Sequence, residues 1–520
     1  MSKITHAEVR MYRLGTGDCF AIKFFAGLEV TCKIMIDAGT WSGSADQLEP
    51  YITDLKHYLE DYADILIITH EHKDHVHAFD ACEHLFTDGK FEVGEIWMGW
   101  TENDKIKKVK EWKKQYGEKK KALGVASKKL EDAMLSPEYQ SQFTGSKDAS
   151  RMLGARKTFS NVLNGFAQLH LSLDSTTNLY KGGLAGMDVV KNKIKKTKIN
   201  YFKPGDIIND IAESEGIKIY VLGPPQLYAD VKKESGKAGE SYQHNKVLKE
   251  SDAFGAAVLS QDQAFIHSSV WPFDLHYSGS YHGPSMPGSR EEAAAQDEQN
   301  KLEAVKTAYR SKEWRKIDFD WLYSAGSFAL RMNSLTNNLS LALAIEFEDT
   351  GRVMLFPGDA EFGSWSSWHK IDWKEEARSS TDKTAENKKE QKHLTEDLLN
   401  RTVFYKVAHH LSHNGTAQEL GLEMMKHKDL VAMATLDYNV INSGWTSTMP
   451  NRAILKELLY RTKGRLMVMN DEGLFFDFNE EVPLKEKIEE ARDRMSSKEK
   501  KAFEENFEAT ELYLQYVVKA

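Results

Sequence analysis

The sequence predicts an α/β fold, and three observations carry that expectation. Short β-prone apolar runs recur along the chain and end repeatedly in Gly, Asp or His. Between them lie stretches with apolar residues three and four apart, the spacing of a helix that buries one face. The chain has 520 residues, of which 41% are apolar and 28% charged. That supports a large core and, by length, roughly two to four domains.

Taken in order, residues 9–14, 20–25 and 30–36 read as strands, with Gly15-Thr16-Gly17-Asp18 as a tight turn between the first two. Leu48, Tyr51, Ile52, Leu55 and Leu59 place a helix over 47–60, which leads into an apolar strand at 63–68. Composition shifts near Thr101. Residues 104–133 carry eleven lysines between Lys105 and Lys129, and Ile106, Val109, Trp112 and Tyr116 recur at helical steps. This reads as an amphipathic helix with a basic outer face. A second basic run, Lys191, Lys193, Lys195, Lys196 and Lys198, reads the same way. Both are ordinarily solvated helix faces; the sharper reading is guidance of a polyanion.

A strand at 217–222 stops at Gly223-Pro224-Pro225, and residues 226–321 read as an insertion or lid. Strands return at 339–347, 353–356, 402–407 and 430–436, with 374–391 as an exposed charged excursion. After Pro483 the stripe Leu484, Ile488, Ala491, Met495, Phe503, Phe507 and Leu512 predicts helix to the end. The expected organisation is a main domain in two halves, 1–103 and 205–480. A Lys-rich helical insertion at 104–204 divides them, and a C-terminal helical extension follows at 481–520.

No run approaches the ~18 uninterrupted apolar residues of a membrane span, and no signal-peptide pattern opens the chain. Three cysteines, Cys19, Cys32 and Cys82, make neither a disulfide framework nor a zinc ribbon, so a reducing cytoplasm is expected. The net charge of −9 argues against a dedicated duplex-binding module.

The densest chemistry is Thr69-His70-Glu71-His72-Lys73-Asp74-His75, directly after the strand at 63–68. A sharp loop there can aim His70 and His72 at one cation and Asp74 and His75 at a neighbour. Imidazole and carboxylate together suit Zn²⁺, Mn²⁺ or Fe. Gly358-Asp359 closes another strand, and a carboxylate so placed can bridge two cations about 3.5–4 Å apart. By itself the pair is an ordinary turn. His409, His410 and His413 follow the strand at 402–407. Asp37, before Gly39, could accept an N–H bond from a metal-bound His and fix its tautomer.

In this order Gly15-Thr16-Gly17-Asp18, Asp37-Ala38-Gly39, Thr69-His70-x-His72-x-Asp74-His75, Gly358-Asp359-Ala360 and Lys406-x-x-His409-His410 resemble the metallo-β-lactamase fold. The branch most similar is that of the DNA-uptake competence protein, which Asn337-Asn338-Leu339-Ser340-Leu341 also matches. The resemblance covers the first hundred residues and roughly 330–475. It implies an αββα sandwich with metals in a groove at one sheet edge. It also implies His70 and His72 on one metal, Asp74, His75 and His410 on the other, and Asp359 between them. A further mid-chain His is common in such proteins. His170, His267, His276 and His282 are the candidates, and spacing does not choose among them. Leu411 stands where relatives carry Gly, so the loop is expected to differ.

Two cations sharing a water would give a bridging hydroxide and absorb charge in the transition state. The expectation is a binuclear metal-dependent hydrolase, a phosphodiesterase or nuclease holding two divalent ions, with zinc first and Mn or Fe as alternatives. Asp74, His409 and His413 are the catalytic candidates. Lys406 is expected to point away from the groove, as a strand residue. The Lys-rich segments 105–129 and 191–198 would meet a nucleic acid or nucleotide substrate, with no membrane involved. A small ester, lactone or phosphocholine-like substrate is the alternative. A non-catalytic, metal-bound binding or sensing component is the third reading.

Overall fold

A computed structural model describes residues 3–137, 140, 147–174, 179–181, 184–211, 214–233, 236–237, 239–240, 300, 304, 307, 320–373, 393–412, 414–437, 449–477 and 481–520. Most of the insertion expected at 226–321, and the excursion expected at 374–391, lie outside these residues.

The chain is mixed α/β, built on two large mixed sheets. The first sheet holds β1 (His6–Tyr12), β2 (Phe20–Ala26), β3 (Glu29–Ile36), β4 (Tyr62–Ile68) and β5 (Glu92–Gly99). After the small hairpin β6 (Ser172–Asp174) and β7 (Leu179–Lys181), β8 (Lys195–Phe202) adds one edge. The second sheet runs through β9 (Ile207–Ile211), β10 (Ser214–Val221), β11 (Leu343–Phe347), β12 (Arg352–Phe356), β13 (Thr402–Lys406), β14 (Val431–Asp437) and β15 (Leu466–Asn470). The hairpin β16 (Phe475–Asp477) and β17 (Val482–Pro483) follows it. Each sheet is antiparallel at first and then turns parallel, at β3–β4 in the first and β12–β13 in the second.

Strand alternation sorts the side chains. Val9, Phe20, Ile22, Ile34 and Ile67 of the first sheet share one buried core with Ile219, Leu343, Ile345, Phe356 and Phe404 of the second. Phe20 meets Phe356 edge-on at 6.0 Å between ring centroids. The opposite face of the first sheet packs Met35, Leu66 and Ile68 on Leu48, Ile52 and Leu55 of the Ala45–Leu59 helix and on Val76 and Phe79 of the Lys73–Ala81 helix. The outer face of the second packs on the Arg452–Thr462 helix and on three long insertion helices, Lys107–Leu135, Lys147–His170 and Asp320–Asn337. The layers therefore run helix, sheet, sheet, helix.

Three expectations need correction. The C-terminal segment is not helical to its end. Helices at Leu484–Arg492 and Ser497–Asn506 give way to β18 (Phe507–Ala509) and β19 (Tyr513–Lys519), and β19 pairs antiparallel with β1 along its whole length. Tyr513-Leu514-Gln515-Tyr516-Val517-Val518 is β-prone, and the free edge of β1 offers it hydrogen bonds that a local pattern cannot reveal. The segment 104–204 is likewise not wholly helical, because β8 belongs to the main sheet, parallel to β5. For the same reason the second basic run lies not on a helix face but at a helical turn and on this edge strand. Four of its five charges are paired: Lys191 with Glu102, Lys193 with Glu83, Lys195 with Glu92 and Lys198 with Glu95. Edge lysines of this kind discourage strand addition by another chain.

Candidate metal centre

The functional residues lie where parallel strands end, the place where open α/β sheets bind ligands. Asp37 ends β3, Thr69 and His70 end β4, Asp359 follows β12, His409 and His410 follow β13, and Thr435 lies in β14. Backbone hydrogen bonds stitch these ends together. The Asp18 N–H donates to the Asp74 carbonyl (2.9 Å), Ala38 N–H to the His75 carbonyl (2.9 Å) and Gly39 N–H to the Asp18 carbonyl (3.0 Å). Gly39 is required by this closeness: a Cβ there would sit 2.2 Å from the His75 nitrogen.

His70, His72, Asp74, His75, Asp359 and His410 are all brought together, none more than 3% exposed. His75 Nε2 and His410 Nε2 stand 3.2 and 3.1 Å from Asp359 Oδ2. His410 Nε2 also lies 3.2 Å from Asp74 Oδ2. His70 Nε2 is 3.0 Å from His72 Nδ1, and the His70 and His75 ring centroids are 4.0 Å apart. The ligand atoms of Asp18, His75, Asp359 and His410 fall within 4.8 Å of one another, and this buried group could hold a metal.

Each imidazole is oriented by what lies behind it. Asp37 accepts the Thr69 backbone N–H (2.8 Å) and hydroxyl (2.5 Å), and its Oδ2 lies 2.7 Å from His75 Nδ1. That places the His75 proton on Nδ1 and leaves Nε2 as the ligating atom. Asp37 therefore accepts the histidine N–H bond that the sequence suggested for it. Thr435 does the same for His410, with its carbonyl 3.0 Å from Nδ1. Asp18 lies on the Nδ1 side of both rings, 3.7 Å from His75 and 3.9 Å from His410. Its Oδ2 is bound to Lys406 Nζ at 2.5 Å, and its Oδ1 accepts the Thr435 hydroxyl at 2.7 Å. We therefore place Asp18 behind the ligating atoms rather than among them. Trp41 donates its indole N–H to Asp74 Oδ2 at 2.8 Å.

Lys406 does not point away. β13 is buried along its whole length, so it has no solvent side to point to. Lys406 Nζ instead reaches Asp18, Asp359 Oδ1 (3.1 Å) and the Gly358 carbonyl (3.0 Å). His409 turns its ring into a second polar cluster, with Nε2 3.1 Å from Asn337 Nδ2 and Nδ1 3.4 Å from Glu361. His409, His410 and Leu411 all take positive φ, at 47°, 48° and 63°. Leu411 thus occupies a left-handed conformation that glycine would adopt freely. Its wholly buried side chain, worth ~1.5–3 kcal/mol, offsets a backbone cost of ~1–2 kcal/mol.

Of the mid-chain histidines, His170 comes to the site. It ends the Lys147–His170 helix, is fully buried, and packs its ring 4.6 Å from that of His72. His267, His276, His282 and the catalytic candidate His413 lie outside the described residues. Sequence reasoning gave no role to Asp18, Trp41, Thr435 or Glu361. Only Asp18 had a local signal, the Gly15-Thr16-Gly17 turn before it.

The donor set fits a cation. His72 Nε2, Asp74 Oδ1 and both ring nitrogens of His170 are buried without a hydrogen-bond partner among the described residues, and His75 Nε2 and Asp359 Oδ2 are buried in ion-pair contact within the cluster. Native proteins rarely leave such atoms unsatisfied. Four buried carboxylates, Asp18, Asp37, Asp74 and Asp359, face the single ammonium of Lys406. Protons take up part of the imbalance. Burial opposes charge on His75 and His410, but the neighbouring carboxylates outweigh it; His75 stands well above its usual range and His410 is held up at about 9. Burial would likewise raise Asp74, yet its bond to His410 and the charge of His75 hold it at about 2. Burial drives His70, His72 and His170 well below the ordinary imidazole value, so they are neutral, the form that binds metal.

Compared with protein-family models, curated proteins and solved structures, the chain matches none. The site's own geometry therefore carries the functional reading. Cys19, Cys32 and Cys82 are free and buried, and no helix among the described residues is long and apolar enough to cross a membrane.

Proposed function

We propose that the chain is a metal-dependent phosphodiester hydrolase built on an αββα sandwich of the metallo-β-lactamase type. One observation carries the reading. Nitrogen and carboxylate donors from four separate segments, at residues 70–75, His170, Asp359 and His410, converge in one buried cluster, and several of their atoms have no hydrogen-bond partner among the described residues. Such a cluster, inside a protein with one lysine to balance it, is costly unless a cation fills it. Bound divalent cations would supply a water acidified toward neutrality and a Lewis acid for the phosphoryl oxygen.

The chain's residues divide the work. His75, His410, Asp74 and Asp359 would hold one cation, and His70, His72 and His170 a second, with Asp359 facing both. Asp37 and Thr435 fix the tautomers of His75 and His410. Lys406 neutralises the outward oxygen of Asp359, and Trp41 holds Asp74 so that Oδ1 is left for the metal. His409, the catalytic candidate, is held by Glu361 and Asn337 in the neighbouring polar cluster.

The test is cleavage of single-stranded DNA, duplex DNA, RNA and bis-nitrophenyl phosphate under Zn²⁺ and Mn²⁺. Activity should vanish in Asp359→Ala and His72→Ala. Intact substrates under every metal tried would overturn the proposal. A second reading, hydrolysis of a small ester, lactone or phosphocholine-like substrate, is favoured by the burial of every donor beneath the insertion helices. Turnover of neutral chromogenic esters, with none of the phosphodiester, would select it.

A further inference from the structure

The first insertion helix carries a second feature away from the metal centre. Lys108, Glu111, Trp112 and Gln115 lie at helical spacing on one face, and with Trp100 and Tyr228 opposite they line a cavity of about 220 Å³. That is smaller than the roughly 300–1,000 Å³ of drug-sized sites, and suits one planar ring system. Trp112 and Tyr228 meet edge-on, with ring centroids 5.8 Å apart at 79°, and the Trp112 indole N–H has no hydrogen-bond partner among the described residues. Tyr228 is 41% exposed.

Lys108 lines the cavity, and further lysines lie just before it and elsewhere on the same helix. Lys105, Lys108, Lys110 and Lys114 are exposed, and no ion pair involves them among the described residues. Four of the five lysines of the 191–198 run, in contrast, are matched to carboxylates. Lys107, Lys108 and Lys110 also crowd the first turn of their helix, which has no acidic residue. That placement opposes the macrodipole. A local rule broken this way points to a partner that supplies the negative charge. An organic cation does not fit, because Lys232 Nζ already sits 4.4 Å over the Tyr228 ring.

We propose that this cavity is a nucleobase-binding subsite for a single-stranded polynucleotide. A base enters among Trp100, Trp112 and Tyr228, and a flanking phosphate meets Lys108, which lines the cavity. Aromatic faces beside a basic track are the recurring means of holding single strands without reading sequence. The same helix reaches the metal loop, where Lys120 pairs with Glu71. Trp112 lies eight residues before Lys120, about 12 Å along the helix axis. The proposal rests on the phosphodiesterase reading for the identity of the polymer.

The experiment uses the full chain in chelator, so that binding is read without cleavage. Fluorescence anisotropy compares a labelled oligo(dA) with an abasic oligomer of equal length. The base-bearing strand should bind roughly 5- to 100-fold tighter. Tyr228→Ala, at an exposed position, and Trp112→Leu should each bring it to the abasic level with metal content unchanged. Lys108→Ala should weaken both strands alike and reduce the salt slope by about one. Equal binding of the two strands, or indifference to both aromatic variants, overturns the subsite. Cleavage with metal restored separates the two claims. Base-dependent binding without cleavage keeps the subsite and sinks the hydrolase reading; cleavage without base dependence does the reverse.

Discussion

Asp37→Asn is the substitution whose consequence follows most directly from the geometry. The carboxylate makes three contacts, to the Thr69 N–H, the Thr69 hydroxyl and His75 Nδ1, at 2.8, 2.5 and 2.7 Å. An amide has one acceptor oxygen. The Thr69 backbone donor is buried and must keep it, since leaving it unpaired costs ~1–3 kcal/mol. The amide N–H₂ then faces His75 Nδ1, which must accept, and the imidazole proton moves to Nε2, the ligating atom. Asparagine tolerates the φ of 53° at this position, so the backbone need not change. Loss of a histidine-orienting partner weakens metal binding by roughly 10- to 100-fold, and removal of the ligating lone pair puts this case at the upper end, about 2.7 kcal/mol. The amide has the size and shape of the carboxylate and suits the backbone, so the metal-free chain should still fold. Competition with a chromogenic zinc chelator reads the affinity, and urea unfolding in chelator reads the stability. Wild-type affinity in the variant would refute the tautomer argument. So would a loss of affinity accompanied by loss of metal-free stability, because the defect would then be misfolding.

The remaining predictions concern pH and packing. In the metal-free chain His410 titrates at about 9 against an ordinary 6.5, so it contributes about 3 kcal/mol that is fully present below 6.5 and lost as pH rises through 9. A cation must displace that proton and the one held on His75, so apparent zinc affinity should rise by at least about tenfold per pH unit up to pH 9; a flat profile from pH 6 to 9 would exclude a protonated His410. Glu102, held at about 2 although burial opposes its charge, is bound by Lys191 at 2.7 Å and Lys113 at 2.9 Å and ties the first insertion helix to the sheet. Its contribution is present above the ordinary 4.5 and lost as pH falls through 2, so Glu102→Gln should cost about 3 kcal/mol at pH 7, seen as a lower urea midpoint, and nothing near pH 2. Gly39→Ala drives a methyl against the His75 backbone, so metal content should fall by at least about tenfold relative to wild type, a loss that dialysis against trace zinc would reveal.

Much of the site was legible because its parts are local. A strand that ends in His-x-His-x-Asp-His states both the ligand types and the turn that gathers them, and Gly358-Asp359 and His409-His410 repeat the form. The expected strands of both sheets fall within a few residues of the observed ones, since half-buried strands show their period in sequence. The end of the chain misled because Phe507 and Leu512 extend a helical stripe, whereas pairing with β1 outweighs that preference. Lys406 misled because a strand residue ordinarily has a solvent side, and β13 has none.

The sequence by itself determined which chemistry the chain offers: the side chains that could ligate a metal and their attachment to strand ends. Tertiary structure alone decided that His170 joins His72, that Asp18 and Lys406 neutralise one another behind the donors, and which lysines are matched to carboxylates among the described residues. The reason is distance along the chain. Hydrogen bonds within a strand or turn leave a periodic trace in neighbouring residues, but an ion pair between residues 18 and 406, or a ring contact between 72 and 170, exists only once two packed sheets and an inserted helix have brought those residues together.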